Sequence, residues 1–240
     1  MSSQVNPGKR DVIEVGGRHW SRRVIPTHFV EVGESYLELA ERYAAPELAP
    51  GDILAISEKV IALCQGRVIY EEEMQVGFLA RLLARFVHQT QAGPGVGLPI
   101  KMQFAIDQRG KMFILYAALR AGWDKLRGIH GTFYRMAGPE ARGLDGFYGR
   151  DIPAYAHIGI RIPREPDRVC DQISRRLGVP CVIVDANGLG VEVLGRSGAL
   201  LEQPVRLFQD ILRDNPAGQE GQLTPFVRIR QVPAPVKNKT

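Results

Sequence analysis

The stretch CVIVDANGLGVEVLG, Cys181 to Gly195, decides how this chain is read. Val182, Ile183 and Val184 are β-branched and read as a buried strand. Asp185 ends that run. Gly188 and Gly190 follow, and then a second apolar run. A dinucleotide-binding fold would place G-x-G-x-x-G here and open a helix behind it. Gly188 and Gly190 fit, but position 193 is Val, and the residues after it read as a strand. The pattern argues against a Rossmann site.

Working outward, PDRVCDQISRRLG has a well-formed start at Pro166 and stop at Gly178, so a helix is expected ahead of the strand. GDILAIS reads as a strand, EKVIALCQG as a helical turn or two closed by Gly66, and RVIYEEE as a strand. DVIEVGG and HWSRRVIPTHFVEV read as extended. In ESYLELAERYAA, Tyr36, Leu37, Ala40 and Tyr43 share one helical face. VGFLARLLARFVHQT gives an amphipathic helix with Leu79, Leu82, Leu83 and Phe86 on one face. AGPGVGLP, residues 92–99, reads as a loop, while IKMQFAIDQRG and KMFILYAALRAGWDKL carry no decisive period. PVRLFQDILRD is the last helix and TPFVRIRQV the last strand. Strands and helices alternate irregularly, so the expected class is α+β, with mixed sheets and flanking helices. Residues 1–10 and 232–240 are polar, contain proline and are expected to be mobile. Residues 11–231 are long enough for one domain, in one body or two lobes.

The bulk numbers narrow the function classes. Apolar residues make up 45% and charged residues 24%, which is ordinary for a globular protein. No apolar run is long enough to span a bilayer, and MSSQVNPGKRD lacks the apolar core of a secretory signal. A cytoplasmic protein with no membrane partner is the expectation. Cys64, Cys170 and Cys181 are odd in number and far apart, which argues against a zinc site or a disulfide framework. Cys64 and Cys181 sit in apolar runs and read as core cysteines. The net charge of +5 and pI near 9.2 suit phosphates, carboxylates or nucleic acid. The arginines are scattered through RHWSRR, LARLLARF and ISRRLG, and read mostly as solvated faces. With no basic tract and no aromatic RNA-binding signature, a nucleic-acid partner is not expected.

Two aspartates stand out. Asp185 closes an apolar strand, and Asp145 lies between glycines in RGLDGFYGRD, read as a loop. Loop carboxylates from distant segments, converging on Mg²⁺ or Mn²⁺, would suit a nucleotide-phosphate site. On spacing alone, Asp185 reads rather as the cap of a turn through Asn187 and Gly188. GPGVG lacks the G-K-[ST] ending of a P-loop. His130 reads as a local hydrogen-bonding residue, and Lys59 either reaches a phosphate just past a strand end or is a surface lysine.

Several segments, in order, resemble the coenzyme F-420:L-glutamate ligase (gamma-glutamyl ligase) family. They are RVIPTHFVEVGESYLELA, APGDILAISEKVIALCQGRVI, GIHGTFYRMAG, IPREPDRVCDQISRRLGVPCVIVDA and GQEGQLTPFVRI, from about Val24 to Arg230. The resemblance implies a two-lobed α+β ligase-like fold and a homodimer. It implies Mg²⁺ or Mn²⁺, and GTP (or ATP) as phosphate donor. Glutamate, or a related amino acid, would be joined to a small carboxylate acceptor through an acyl phosphate. Carried over by position, Asp145 and Asp185 become metal ligands. Ile25, Pro26, Glu58, Lys59, Gln219 and Glu220 become nucleotide-site residues. No residue is assigned a catalytic role. The chain departs from the family pattern. Ala62-Leu63 stands where the family has serine-lysine, DGFY (Asp145 to Tyr148) where it has aspartate-x-serine-asparagine, and Ala186 where it has a hydroxyl ligand. Asn187 would then supply the missing oxygen. The segment between GRVIYEEE and GIHG is also longer than in the plain family. These departures describe a divergent member, and they leave open a non-catalytic homologue that binds a nucleotide or metabolite.

Overall fold

The computed structural model describes residues 5–87, 95–147, 155–187, 190–218 and 220–234. Two compact units divide the chain. Residues 67–162 form one, and the segments on either side of it form the other.

The first segment of the outer unit holds β1 (Val12–Val15), β2 (Arg18–Ile25), α1 (Tyr36–Leu39), β3 (Ile53–Ser57) and α2 (Glu58–Cys64). The inner unit holds β4 (Val68–Tyr70), α3 (Phe78–Ala84), α4 (Pro99–Arg109), α5 (Lys111–Leu126), α6 (Thr132–Ala137), α7 (Pro139–Arg142), β5 (Asp145–Gly146) and β6 (Ile158–Ile160). The chain then completes the outer unit with α8 (Pro166–Leu177), β7 (Cys181–Asn187), β8 (Gly190–Arg196), α9 (Val205–Leu212) and β9 (Phe226–Val232).

The α+β class is what the structure has. The outer unit is built on one mixed sheet in the order β1-β2-β9-β3-β7-β8. Among the described residues, only β3 and β7 run parallel in this sheet, with Leu54 beside Cys181 and Ser57 beside Val184; its other pairs are antiparallel. Alternation along each strand divides two cores. Leu54, Ile56, Cys181 and Ile183 face the side where α1, α2 and α8 contribute Leu39, Ile61 and Ile173. Ala55, Val182, Val184 and Val227 face the side where α9 contributes Phe208 and Ile211. Asp185 does not end β7. The strand continues to Asn187, paired with β8 down to Asn187 opposite Gly190, so burial stops at Val184 while the ladder goes on.

Gly195, at the end of the opening stretch, is fixed by close approach. A Cβ there would lie 2.5 Å from the backbone carbon of Pro166, so only glycine lets the start of α8 pack on β8. Gln65 and Arg164 close the outer unit where the chain leaves and returns. The Gln65 amide donates to the Arg164 carbonyl at 2.9 Å, and the Arg164 N–H donates back at 2.7 Å.

Two charged groups of the outer unit are buried, one of them an arginine expected on a solvated face. Arg22 in β2 is fully buried, and its guanidinium donates to Asp214, to the Arg10 carbonyl and, at 3.0 Å, to the Ile211 carbonyl. A buried guanidinium needs such partners. Residues 5–10 are held in the same region: Val5 is buried, and the Asn6 amide donates to Thr224 at 3.0 Å. Asp52 is also fully buried, and Arg230 grips it with two bonds of 2.5 and 2.7 Å. Burial alone would raise its carboxyl. Arg230 and the Ala49 N–H outweigh burial and hold it below the ordinary 3.8. Asp52 therefore fastens the start of β3 to β9.

The inner unit pairs β4, β6 and β5 in a small antiparallel sheet beside helices. Arg67 closes its base, donating to Glu140 at 2.5 Å and to the Ile162 carbonyl at 3.0 Å. The two segments without a decisive period are α4 and α5, divided at Gly110. The face expected of α3 is corrected. Ala80, Leu83 and Ala84 are buried, whereas Leu82 and Phe86 are exposed. Alanines bury because they let the backbone of α4 approach closely. RVIYEEE is a strand only to Tyr70, after which Glu71–Glu73 form a 3₁₀ turn.

Candidate functional site

The parallel pair β3 and β7 creates a rim. Both strands end on the same side of the sheet, where an open α/β sheet offers a crevice for ligands. β9 begins at that rim and β2 ends there: Phe226 pairs with Ile25 on one side and with Ile56 on the other. Two backbone bonds draw the preceding loop in. The Ser57 N–H donates to the Pro225 carbonyl at 2.9 Å, and the Thr27 N–H to the Leu223 carbonyl at 2.8 Å.

Five sequence-derived residues stand along this rim, and a sixth, Glu220, lies in the loop that leads to it. Ile25 is the buried last residue of β2, and Pro26 follows it, exposed. Glu58 and Lys59 form the half-buried first turn of α2, directly after β3. Asp185 stands one residue beyond the Ser57–Val184 pair. Glu220 opens a 3₁₀ turn in the loop before β9. Gln219 lies outside the described residues, as do Gly188, Tyr148 and residues 92–94.

Asp185 and Asn187 share a face. The Asn187 amide donates to an Asp185 carboxylate oxygen at 3.2 Å. Ile183 on that face belongs to the core containing α2, so the two side chains stand on the side of the sheet where α2 packs. Ala186 faces the α9 side with Val184. A hydroxyl at 186 would point away from Asp185. Sequence reading missed Glu192, which the β7–β8 register sets directly opposite Asp185. Pairing Asn187 with Gly190 fixes that register, and a hairpin reading of the opening stretch would have found it. Carboxylates opposed across strands repel, so the position draws positive charge from a side chain or an ion.

Asp145 belongs to the inner unit. It is not in a loop but in the two-residue strand β5, and its carboxylate accepts the Gly146 N–H at 2.9 Å. Gly146 has φ of +89°, and a Cβ there would lie 2.1 Å from the Ile158 carbonyl oxygen, so the Asp-Gly pair is fixed by backbone geometry. Buried Lys101 donates to the neighbouring Leu144 carbonyl at 3.0 Å, another contact no local pattern announced.

No protein-family model matches the chain. No curated protein matches it either.

Among the described residues, no three His, Cys, Asp or Glu side chains gather as a complete metal cage. Asp185 and Glu192, opposed across β7 and β8, with the Asn187 side chain beside Asp185, could supply oxygen donors to a hard divalent cation. Mg²⁺ commonly takes one or two protein carboxylates and completes its shell with water and substrate phosphates. The donor set fits an ion that arrives with a phosphate ligand, and not one caged by protein alone.

Two hollows lie in the outer unit. A small cavity of about 50 Å³, on the α9 side, is lined by Ser57, Ala186, Asn215 and Gly218 among others. That is space for a water or two, not a nucleotide. A larger open hollow of about 480 Å³ lies past the end of β2, lined by His28, Gly33, Glu34, Ser35, Glu38 and Arg42 with Leu39. This volume is in the range of ligand sites. His28 is held there at both nitrogens, by Glu34 at 2.9 Å and by the Tyr43 hydroxyl at 2.7 Å. Sequence reading passed over His28, Glu34 and Arg42. Burial first, and Glu34 second, push the Cys64 thiol up to about 12, away from the thiolate form. His130 is exposed, and its carbonyl accepts from Arg135 at 3.0 Å, which makes it a local turn residue.

Proposed function

We propose that this chain is a nucleotide- and metal-dependent amide ligase of the gamma-glutamyl ligase type. One observation carries the reading. Segments far apart in sequence, singled out by the resemblance, end together along one rim of one sheet: Ile25–Pro26, Glu58–Lys59, Asp185–Asn187 and the loop of Glu220.

A carboxylate is a poor acyl donor. In the proposed reaction an oxygen of the acceptor carboxylate attacks the terminal phosphorus of GTP or ATP. The nucleoside diphosphate leaves, and an acyl phosphate remains. The amine of glutamate then attacks the acyl carbon, expels inorganic phosphate and gives up a proton, leaving an amide. Lys59 supplies a cation for the phosphates, and Asp185 with Asn187 supplies oxygen donors. A bound Mg²⁺ or Mn²⁺ would offset phosphate charge during transfer. Asp145 stands in the other unit, and the proposal rests on Asp185 and not on it.

The test is equilibrium binding of GTP and ATP with Mg²⁺ or Mn²⁺, followed by phosphate release with glutamate and small carboxylates. Absence of nucleotide binding in the presence of metal would sink the reading. A second reading has its own observation. Ala62 and Leu63, which replace the family's serine and lysine, are buried in α2, so that segment offers no second cation. A binding protein without turnover would bind nucleotide in the same assay and release no phosphate with any acceptor.

A further inference from the structure

The inner unit has an apolar stripe that its own core does not use. α5 is 16 residues long and buries Ile114 and Ala117 on one face. On the other face stand Met112, Tyr116, Leu119, Trp123 and Leu126, each exposed, from 56% at Tyr116 to 84% at Leu126. Their spacing of four and three residues puts them within an arc of about 80° on a helix. Single exposed apolar residues are common, but a continuous row of five is not.

Charge surrounds the stripe. Arg120 and Arg127 fall on one flank and Lys111 on the other, all exposed. The helix has one acid, Asp124, and it is turned inward: its carboxylate accepts from Thr132 at 2.8 Å and pairs with Arg120 at 3.1 Å. The bias extends over the unit. Residues 67–162 carry thirteen Lys and Arg against eight Asp and Glu, while the rest of the chain carries eighteen against eighteen. The whole net charge of +5 belongs to the unit that bears the stripe.

We propose that α5 is a docking face for an anionic lipid bilayer. The helix would lie along the surface, with Trp123 and Tyr116 at headgroup level, Met112, Leu119 and Leu126 among the upper acyl carbons, and the flanking cations on lipid phosphates. This is surface attachment, not spanning; no helix among the described residues is long and apolar enough to cross a membrane. A second copy of the chain is the weaker occupant. It would bring two cationic flanks together with no exposed acid on either helix. A helix about 24 Å long and about 10 Å wide also offers far less than the roughly 800 Å² per partner of a standard interface.

The experiment is flotation of the full chain with phosphatidylcholine vesicles containing phosphatidylserine, against phosphatidylcholine alone, while tryptophan emission is followed. Trp20 is buried, so a lipid-induced blue shift reports Trp123. Binding is expected with the anionic vesicles and about tenfold weaker with the neutral ones. Added salt is expected to weaken it. Leu119→Glu, and separately the double change Lys111→Glu with Arg127→Glu, are each expected to cut binding about tenfold or more. Equal binding to both vesicle types, no binding to either, or a blue shift that grows with protein concentration alongside a dimer mass in light scattering overturns the proposal. The last result would give the stripe to a second copy.

Discussion

In the outer unit every central strand is covered on both sides. Leu54 and Ile56 face one core and Ala55 the other, with helices closing each face. In the inner unit, α5 is covered on one side only: Ile114 and Ala117 are buried while Leu119 and Trp123 stand in water. The outer unit is charge-balanced and the inner unit carries the excess. The difference separates two tasks. A sheet packed between two layers has no apolar surface to spare, and its chemistry can lie only at strand ends. A helix packed on one face keeps another for contact. The two aspartates follow the same division: Asp185 stands in the half-buried last three residues of β7, past its buried run, and Asp145 in an Asp-Gly pair whose glycine is fixed by backbone.

Substitutions can break this contrast, the largest first. Phe208→Ala empties the fully buried centre beneath α9 and is expected to cost about 3–5 kcal/mol in urea unfolding. If the melt shows two transitions, only the outer unit's should move. Gly195→Ala forces a methyl against Pro166 and should cost about 1–3 kcal/mol. Recovery of a normal melting temperature would show that α8 shifts freely on β8. Asp185→Asn should weaken metal-dependent nucleotide binding about tenfold, or about 1.4 kcal/mol, in titration calorimetry. An unchanged affinity would move the ligand away from the β7 end.

Two arginine–aspartate pairs contribute to the acid limb. Asp214, like Asp52, is pushed up by burial and held below 3.8 by its arginine, here Arg22. A carboxyl depressed on folding stabilises fully above its unfolded value and loses that contribution as pH falls through the folded one. Stability should therefore drop as pH passes below 3.8, and Asp52→Asn should show a shallower drop from a lower plateau. The smallest effect is expected on the exposed stripe: Leu119→Glu should change stability by no more than about 0.5 kcal/mol. A larger loss would mean that the stripe is packed in solution.

Local signals carried a good part of the fold. Pro166 and Gly178 bound α8 as read, and β3, β7 and β9 lie where β-branched runs put them. α4 was illegible because polar Lys101 and Gln103 are buried beside its apolar residues, and α5 because it carries apolar residues on two faces, so no period emerges. The face of α3 was misread because hydropathy ranks leucine above alanine, whereas close helix packing favours the smaller side chain. Arg22 was read as solvated because its carboxylate partner, Asp214, is nearly the whole chain away.

The sequence by itself determined which segments form strands and capped helices, that a glycine-rich stretch returns as a strand, and that the chain is basic. Those are properties of neighbouring residues. Only the tertiary structure decided that Ile25, Lys59 and Asp185 end on one rim, that Glu192 opposes Asp185, and that Ala186 faces the other way. It also decided which of two apolar faces of α5 meets the core. Such choices follow from strand order, register and burial, which join residues distant in the chain and leave no local pattern to read.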